Sequence, residues 1–152
     1  MELVEVIFGT YASWSHLIVR VVLGVIFFAH GAQKVFGWFG GQGLKATIGG
    51  FQQHMNIPAP PTILAAFTEC FGGLTLIPGL LARPAALGLT AVMLVAVVKV
   101  HARHGFFLNM SVTPGQGHGF EFNLALIGMA LSILIGGAGA LSIDRLIAAW
   151  GD

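Results

Sequence analysis

The residues able to do chemistry in this chain fall in four separate stretches. His30, Gln33 and Lys34 stand together, Glu69 is alone, Lys99 and His101 form a third group, and Glu121 and Asn123 a fourth. His30, Gln33, Lys34 and His101 are hydrogen-bond donors suited to a carbonyl oxygen. A carboxylate held away from water can act as a proton acceptor, and Glu69 is the candidate. The expected catalytic set is therefore Glu69, His30 and Lys34. The expected binding set is His30, Gln33, Lys34, Lys99, His101, Glu121 and Asn123. The two lysines and two glutamates balance in charge, so Glu69–Lys34 and Glu121–Lys99 are equally readable as ion pairs that fix helix register. His101 and His104 have the i,i+3 spacing of metal ligands, but no Cys or Asp stands beside them and no metal centre is expected.

Every one of these groups lies in or against a long apolar segment. About 20 apolar residues cross a bilayer as a helix, and four segments qualify, at 16–36, 62–82, 84–102 and 121–141. Pro58-Ala59-Pro60-Pro61 suits the first turn of the second, and Pro78-Gly79 its end. Arg83-Pro84 leaves a tight turn to the third, and Gly136-Gly137-Ala138-Gly139 closes the fourth. The expected fold is all-α: one integral membrane domain over 1–152, a four-helix bundle running up-down-up-down. Both termini then share one side, and loops 37–61 and 103–120 lie on the other. This direction of travel gathers all the groups above in the loop-side half of the membrane. Glu69 lies about 10 Å below that surface at 1.5 Å per residue. Arg20 stands apart near the opposite surface, where it is expected to snorkel.

The composition leaves little else. Of 152 residues, 56% are hydrophobic and 9% charged, and the mean hydropathy is +0.86. A soluble domain carries roughly 25% charged residues, so a soluble fold could not cover its surface, and disorder fails for the same reason. A net charge of +1 offers no footprint for nucleic acid. Cys70 is the single cysteine, which excludes an internal disulfide, a C-x-x-C pair and a zinc–thiolate cluster. Acidic Glu2 and Glu5 do not fit a signal peptide, so the first span is expected to be retained. Trp14 and Trp150 on one side and Trp38 on the other read as interfacial anchors. Arg20, Arg83 and Arg145 against Lys45 and Arg103 place the termini in the cytoplasm.

Periodicity gives each element a face. Arg20, Phe27, His30, Gly31, Gln33 and Lys34 share one half of the first span, leaving Val21, Val25, Phe28 and Ala32 for lipid. Leu44, Ile48, Phe51 and Met55 predict a short amphipathic helix at the interface within the first long loop. The stretch His104 to Gly119, rich in Gly, Ser, Thr and Pro, reads as a lid. Phe36, Trp38, Phe39, Phe106 and Phe107 are expected to wall the mouth of a pocket.

At these residues the chain resembles the DoxX family of small bacterial membrane proteins. The resemblance runs over about 15–146. It is carried by His30-Gly31-Ala32-Gln33-Lys34-Val35-Phe36-Gly37 with Gly40-Gly41, by Glu69 with Gly72-Gly73, by Gly79-Leu80-Leu81-Ala82-Arg83, by His101 with Gly105-Phe106-Phe107, and by Glu121. Tyrosine often accompanies the equivalent of Glu121, whereas Phe122 stands here, a departure from the family pattern that leaves this flank without the hydroxyl. The resemblance implies a four-span protein of the bacterial inner membrane. It also implies a link to oxidoreductase systems, since related proteins include a subunit connected with thiosulfate oxidation by quinone.

The leading expectation is a membrane-embedded redox component, a subunit of an oxidoreductase, that binds a quinone or similar small apolar molecule in the loop-side half. No flavin, iron–sulfur or nicotinamide motif is present, so electrons would come from a partner protein. Membrane lipid is the other partner expected, self-association is open to so small a bundle, and nucleic acid is not a partner. Two further readings stand beside this one: a non-catalytic subunit or scaffold whose buried charges are structural, and a haem or metal binder using His30 and His101. A small proton-coupled transporter would require an oligomer.

Overall fold

The computed structural model describes residues 3–150, and among these there is helix and no strand. The helices are α1 (Leu3–Phe8), α2 (Trp14–Val35), α3 (Gly43–Met55), α4 (Ala59–Phe67), α5 (Gly73–Leu76), α6 (Ala82–Ala96), α7 (Glu121–Gly136) and α8 (Ile143–Trp150). Two π-helical segments interrupt the long rods: Thr68–Gly72 joins α4 to α5, and Val97–His101 extends α6 into a short 3-10 turn, Ala102–His104. Local sequence explains the boundaries. The Ser13 hydroxyl caps α2 by accepting the His16 N–H. Prolines occupy the first turn of α4. Gly137, at φ 78° and ψ −167°, ends α7 in a positive-φ extended conformation that glycine alone adopts readily.

Two pairs of rods run antiparallel, as their contacts show. Gly24 and Gly31 of α2 meet Gly73 and Cys70 respectively, so one rod rises as the other falls. In α6 and α7, Arg83 donates to the Ile135 carbonyl at one end and Asn123 to the Met93 sulfur at the other. The core they enclose contains Leu23, Phe27, Leu76, Leu89, Leu126 and Ile133. Trp14–Val35 and Ala82–His104 are each long and apolar enough to cross a membrane, and Glu121–Gly136 is a shorter apolar helix. The second and fourth rods end earlier than expected from hydropathy. One stops at Leu76 rather than 82 because Gly79 turns the chain, and the other at Gly136 rather than 141 because of the glycine cluster.

Exposed apolar residues recur at helical spacing on the outside: Ile18, Val22 and Val25 on α2, Phe67 and Phe71 on the second rod, Leu87, Leu94 and Val98 on the third. Only a nonpolar surrounding makes such a belt inexpensive. Ala32, assigned to this face from periodicity, is fully buried instead. The short helix α3 forms where Leu44, Ile48, Phe51 and Met55 predict it, with Lys45, Gln52 and His54 exposed.

The end of the molecule away from the long loops is tied by Arg20. It does not snorkel. It is 1% exposed and donates to the carbonyls of Leu76 (3.1 Å), Ile77, Ala140 (3.0 Å) and Leu141 (2.7 Å). Leu76 ends α5 and Ile77 follows it, while Ala140 and Leu141 lie in the turn between α7 and α8, so one guanidinium ties the end of the second rod to the connection after the fourth. Asp144 answers from α8, accepting the N–H groups of Leu81 (2.7 Å) and Ala82 (2.8 Å) at the start of α6. Burial pushes the Asp144 carboxyl up, opposed by those two N–H groups and by Arg20 and Arg83. Gly79 is required between them: its φ is +71°, and a Cβ there would lie 2.6 Å from the Ser142 side chain.

Candidate functional site

The opposite half of the bundle is hollow. A cavity of about 960 Å³ lies between α2, α4, α6 and α7 under α3 and the 105–120 loop. Its wall is almost wholly apolar, from Phe27, Phe51, Met55, Val92, Met93 and Leu126 among others. Into it face His30, Lys34, Glu69, Lys99, His101 and Asn123. Six groups from four distant stretches thus share one space, which fits a ligand pocket: apolar walls with a few placed polar groups.

Glu69 is 2% exposed and meets Lys34 with both carboxylate oxygens, 2.6 and 2.5 Å from Nζ. The Lys34 ammonium also stands 5.9 Å from the centre of the Phe51 ring, which α3 brings over the pocket. A carboxylate this deep needs such a partner, because an unpaired buried charge is heavily penalised. Of the two lysines weighed from sequence, Lys34 is the one that pairs. Lys99 has no acidic partner within ion-pair distance among the described residues. Glu121 turns instead to the loop, where it accepts the Leu108 N–H at 2.9 Å.

Two expected binding residues are not part of the cavity wall. Gln33 donates to the Phe39 carbonyl at 3.1 Å and holds the turn after α2. Glu121 anchors the loop as described. The aromatic wall differs too: Phe36, Trp38, Phe39, Phe106 and Phe107 form two clusters outside the cavity, Phe36 tilted against Trp38 with Phe39 edge-on to Trp38, and Phe106 edge-on to Phe107 and Phe120. Phe122 lines the cavity. Turns of positive φ at Gly37, Phe39 and Gly105 send those aromatics away from the axis of the rod before them.

Glu69 and Lys99 both lie in π-helical segments, as does His101. A π turn inserts an extra residue into a helix, loosening the backbone ladder and re-aiming side chains, and it recurs at functional sites. Hydropathy carries no signal for it. The 105–120 loop is also more ordered than its composition suggests. Asn109, 8% exposed, donates through Nδ2 to the Thr113 and Gln116 carbonyls and accepts the Thr113 N–H, while its own N–H goes to His118 Nδ1. His101 in turn donates from Nδ1 to the His118 carbonyl at 2.9 Å, tying loop to pocket. The Asn109 followed by Thr113-Pro114-Gly115 was the available clue, since Asn closes turns on nearby backbone. Among the described residues, no group of three His, Cys, Asp or Glu side chains is placed to hold a metal ion.

The pattern that defines the DoxX family matches residues 15–102, from α2 through the second π segment, and so takes in His30, Lys34, Glu69, Lys99 and His101. The inner membrane protein YqjF of Escherichia coli strain K12 is 28% identical over 131 residues, 86% of this chain and 90% of that protein. No solved structure matches the chain. On the extent of the first match, the chain belongs to the DoxX family of membrane proteins.

Proposed function

We propose that the protein is a membrane-embedded redox component that holds a quinone, or a similar flat apolar molecule bearing carbonyl oxygens, in the cavity. The observation carrying this reading is the Lys34–Glu69 pair at the wall of an otherwise apolar chamber, with His30 and His101 facing the same space. Lys34 keeps donor capacity beyond Glu69, since an ammonium has three N–H bonds. It can therefore donate to a carbonyl oxygen while staying paired, and Glu69 can exchange the proton that lies between them. Electrons come from a partner protein in this reading.

The same proposal has all four rods crossing the bacterial inner membrane, with both termini cytoplasmic and the cavity in the far half. Single cysteines at Thr10, Gln42 and Ser111, in a Cys70→Ala background, test it. Thr10 is expected to label from the cytoplasm and the other two from outside. Labelling of Thr10 and Gln42 from one side overturns the arrangement.

The ligand is tested with decyl-ubiquinone and the protein in lipid nanodiscs. His30→Ala is expected to weaken binding at least tenfold while helical content and elution volume stay constant. Binding that survives intact means that His30 only lines the cavity and does not hold the ligand. The two-oxygen contact of Glu69 with Lys34 also favours a second reading, a non-catalytic subunit in which the pair only locks α2 to the first π segment. Absence of quinone binding to the wild type selects it.

A further inference from the structure

We propose that the cavity opens sideways between α4 and α6 into the apolar layer of the membrane, and that its ligand enters there head first and leaves a hydrocarbon tail in the opening. The location of the chamber rests on the geometry alone; the identity of the head rests on the reading above.

Three sides of the chamber are shut by close packing. α2 is pressed on the first π segment and α5, where a Cβ on Gly31 would lie 2.1 Å from the Cys70 nitrogen and one on Gly73 2.3 Å from the Phe28 nitrogen. α6 packs on α7, and α7 on α2. The fourth side is shut only near the Gly79 turn. A tight contact there is Thr68 against Gly88, where an added Cβ would lie 2.9 Å from the threonine methyl. Beyond that point α4 packs on α2 and α3 while α6 stays with α7. The residues facing across the gap are Leu64 and Ala65 on α4 and Ala91 and Val95 on α6. All four line the cavity, yet Leu64 is 69% and Val95 53% exposed. Side chains that line a chamber and also lie on the exposed apolar face of their helices mark its rim.

The occupant follows from size and polarity. Ligand pockets run from about 300 to 1,000 Å³, and this one is at the upper end, mostly apolar with a few polar groups. A ring-sized head at Lys34 and Glu69 leaves the apolar remainder, which leads to the rim, for a chain. Lys99, which has no acidic partner among the described residues, lies at the loop-side end of the gap and suits an electron-rich head passing beneath it.

The test is thiol accessibility in proteoliposomes, with Val92→Cys in a Cys70→Ala background. Val92 lines the cavity behind the rim. Pyrenylmaleimide dissolved in the bilayer is expected to react faster than a charged, water-soluble methanethiosulfonate. Filling the gap with Ala91→Phe or, separately, Leu64→Trp is expected to slow the pyrene reaction at least tenfold. Both positions are exposed, so neither substitution burdens the core. Unchanged rates in both filled variants, or faster reaction with the charged reagent, overturn the lateral opening. Protection of the thiol by decyl-ubiquinone supports opening and ligand together. A filled gap that slows labelling without any protection by decyl-ubiquinone supports the opening and removes the quinone.

Discussion

Gly31 and Cys70 touch so closely that no side chain fits between them: a Cβ on Gly31 would stand 2.1 Å from the Cys70 nitrogen and 2.3 Å from its Cα. One turn further along α2, Lys34 comes level with Glu69, the neighbour of Cys70. The ion pair is thus a consequence of backbone approach. Small residues at a helix interface allow this in a membrane, where water supplies no drive to associate.

Gly31→Ala is accordingly expected to destabilise the protein by about 3 kcal/mol, at the upper end for overpacking because the obstacle is backbone. Gly128 is the control. Nothing lies within 4 Å of a Cβ there, so Gly128→Ala is expected to be neutral or to stabilise by up to about 1 kcal/mol through helix propensity. Thermal melts in mild detergent check both, and equal destabilisation by the two would refute the close-packing account.

The pair itself predicts a pattern across three variants. Glu69→Gln strands Lys34 and is expected to cost about 3–5 kcal/mol, the usual penalty for breaking a buried pair. Adding Lys34→Met is expected to recover the stability without recovering quinone binding. Adding Lys99→Met instead is expected to recover nothing, because Lys99 does not contact Glu69. Rescue of binding by Lys34→Met would reduce the pair to a packing device.

Arg20→Met removes the donors to four carbonyls at once. Loss of a buried network of this kind is expected to cost about 3–5 kcal/mol. Arg20→Lys is expected to restore less than half of it, since an ammonium cannot fork across two chain ends. Unfolding in detergent followed by circular dichroism decides this, and full rescue by lysine would refute the forked geometry.

Asn109→Ala acts locally. It is expected to cost about 1–3 kcal/mol from its unpaired loop partners, to raise hydrogen exchange across 105–120, and to leave exchange in α2 and α6 unchanged. Exchange that rises throughout the bundle would mean that the loop is part of the global folding unit rather than a cover over the cavity.

Much of this protein is written in its sequence because hydrophobic patterning is local. Low charge and long apolar runs determine an all-helical membrane chain, proline and glycine mark the turns, and the spacing of Leu44, Ile48, Phe51 and Met55 marks α3. Alternation of direction then gathers His30, Lys34, Glu69, Lys99, His101 and Asn123 at one end by counting alone. What hydropathy does not encode is rotation about a helix axis and partner choice between helices. Periods of 3.6 residues put Ala32 on the wrong face, and π turns at Thr68–Gly72 and Val97–His101 shift the faces of two rods. Partner choice depends on backbone separations of a few ångströms. The Gly31–Cys70 approach therefore gives Glu69 to Lys34, leaves Lys99 without an acidic partner among the described residues, and lets the loop take Glu121. Arg20 shows the same division: its place in an apolar span is evident from sequence, but the carbonyls that hold it buried come from turns more than 50 residues away.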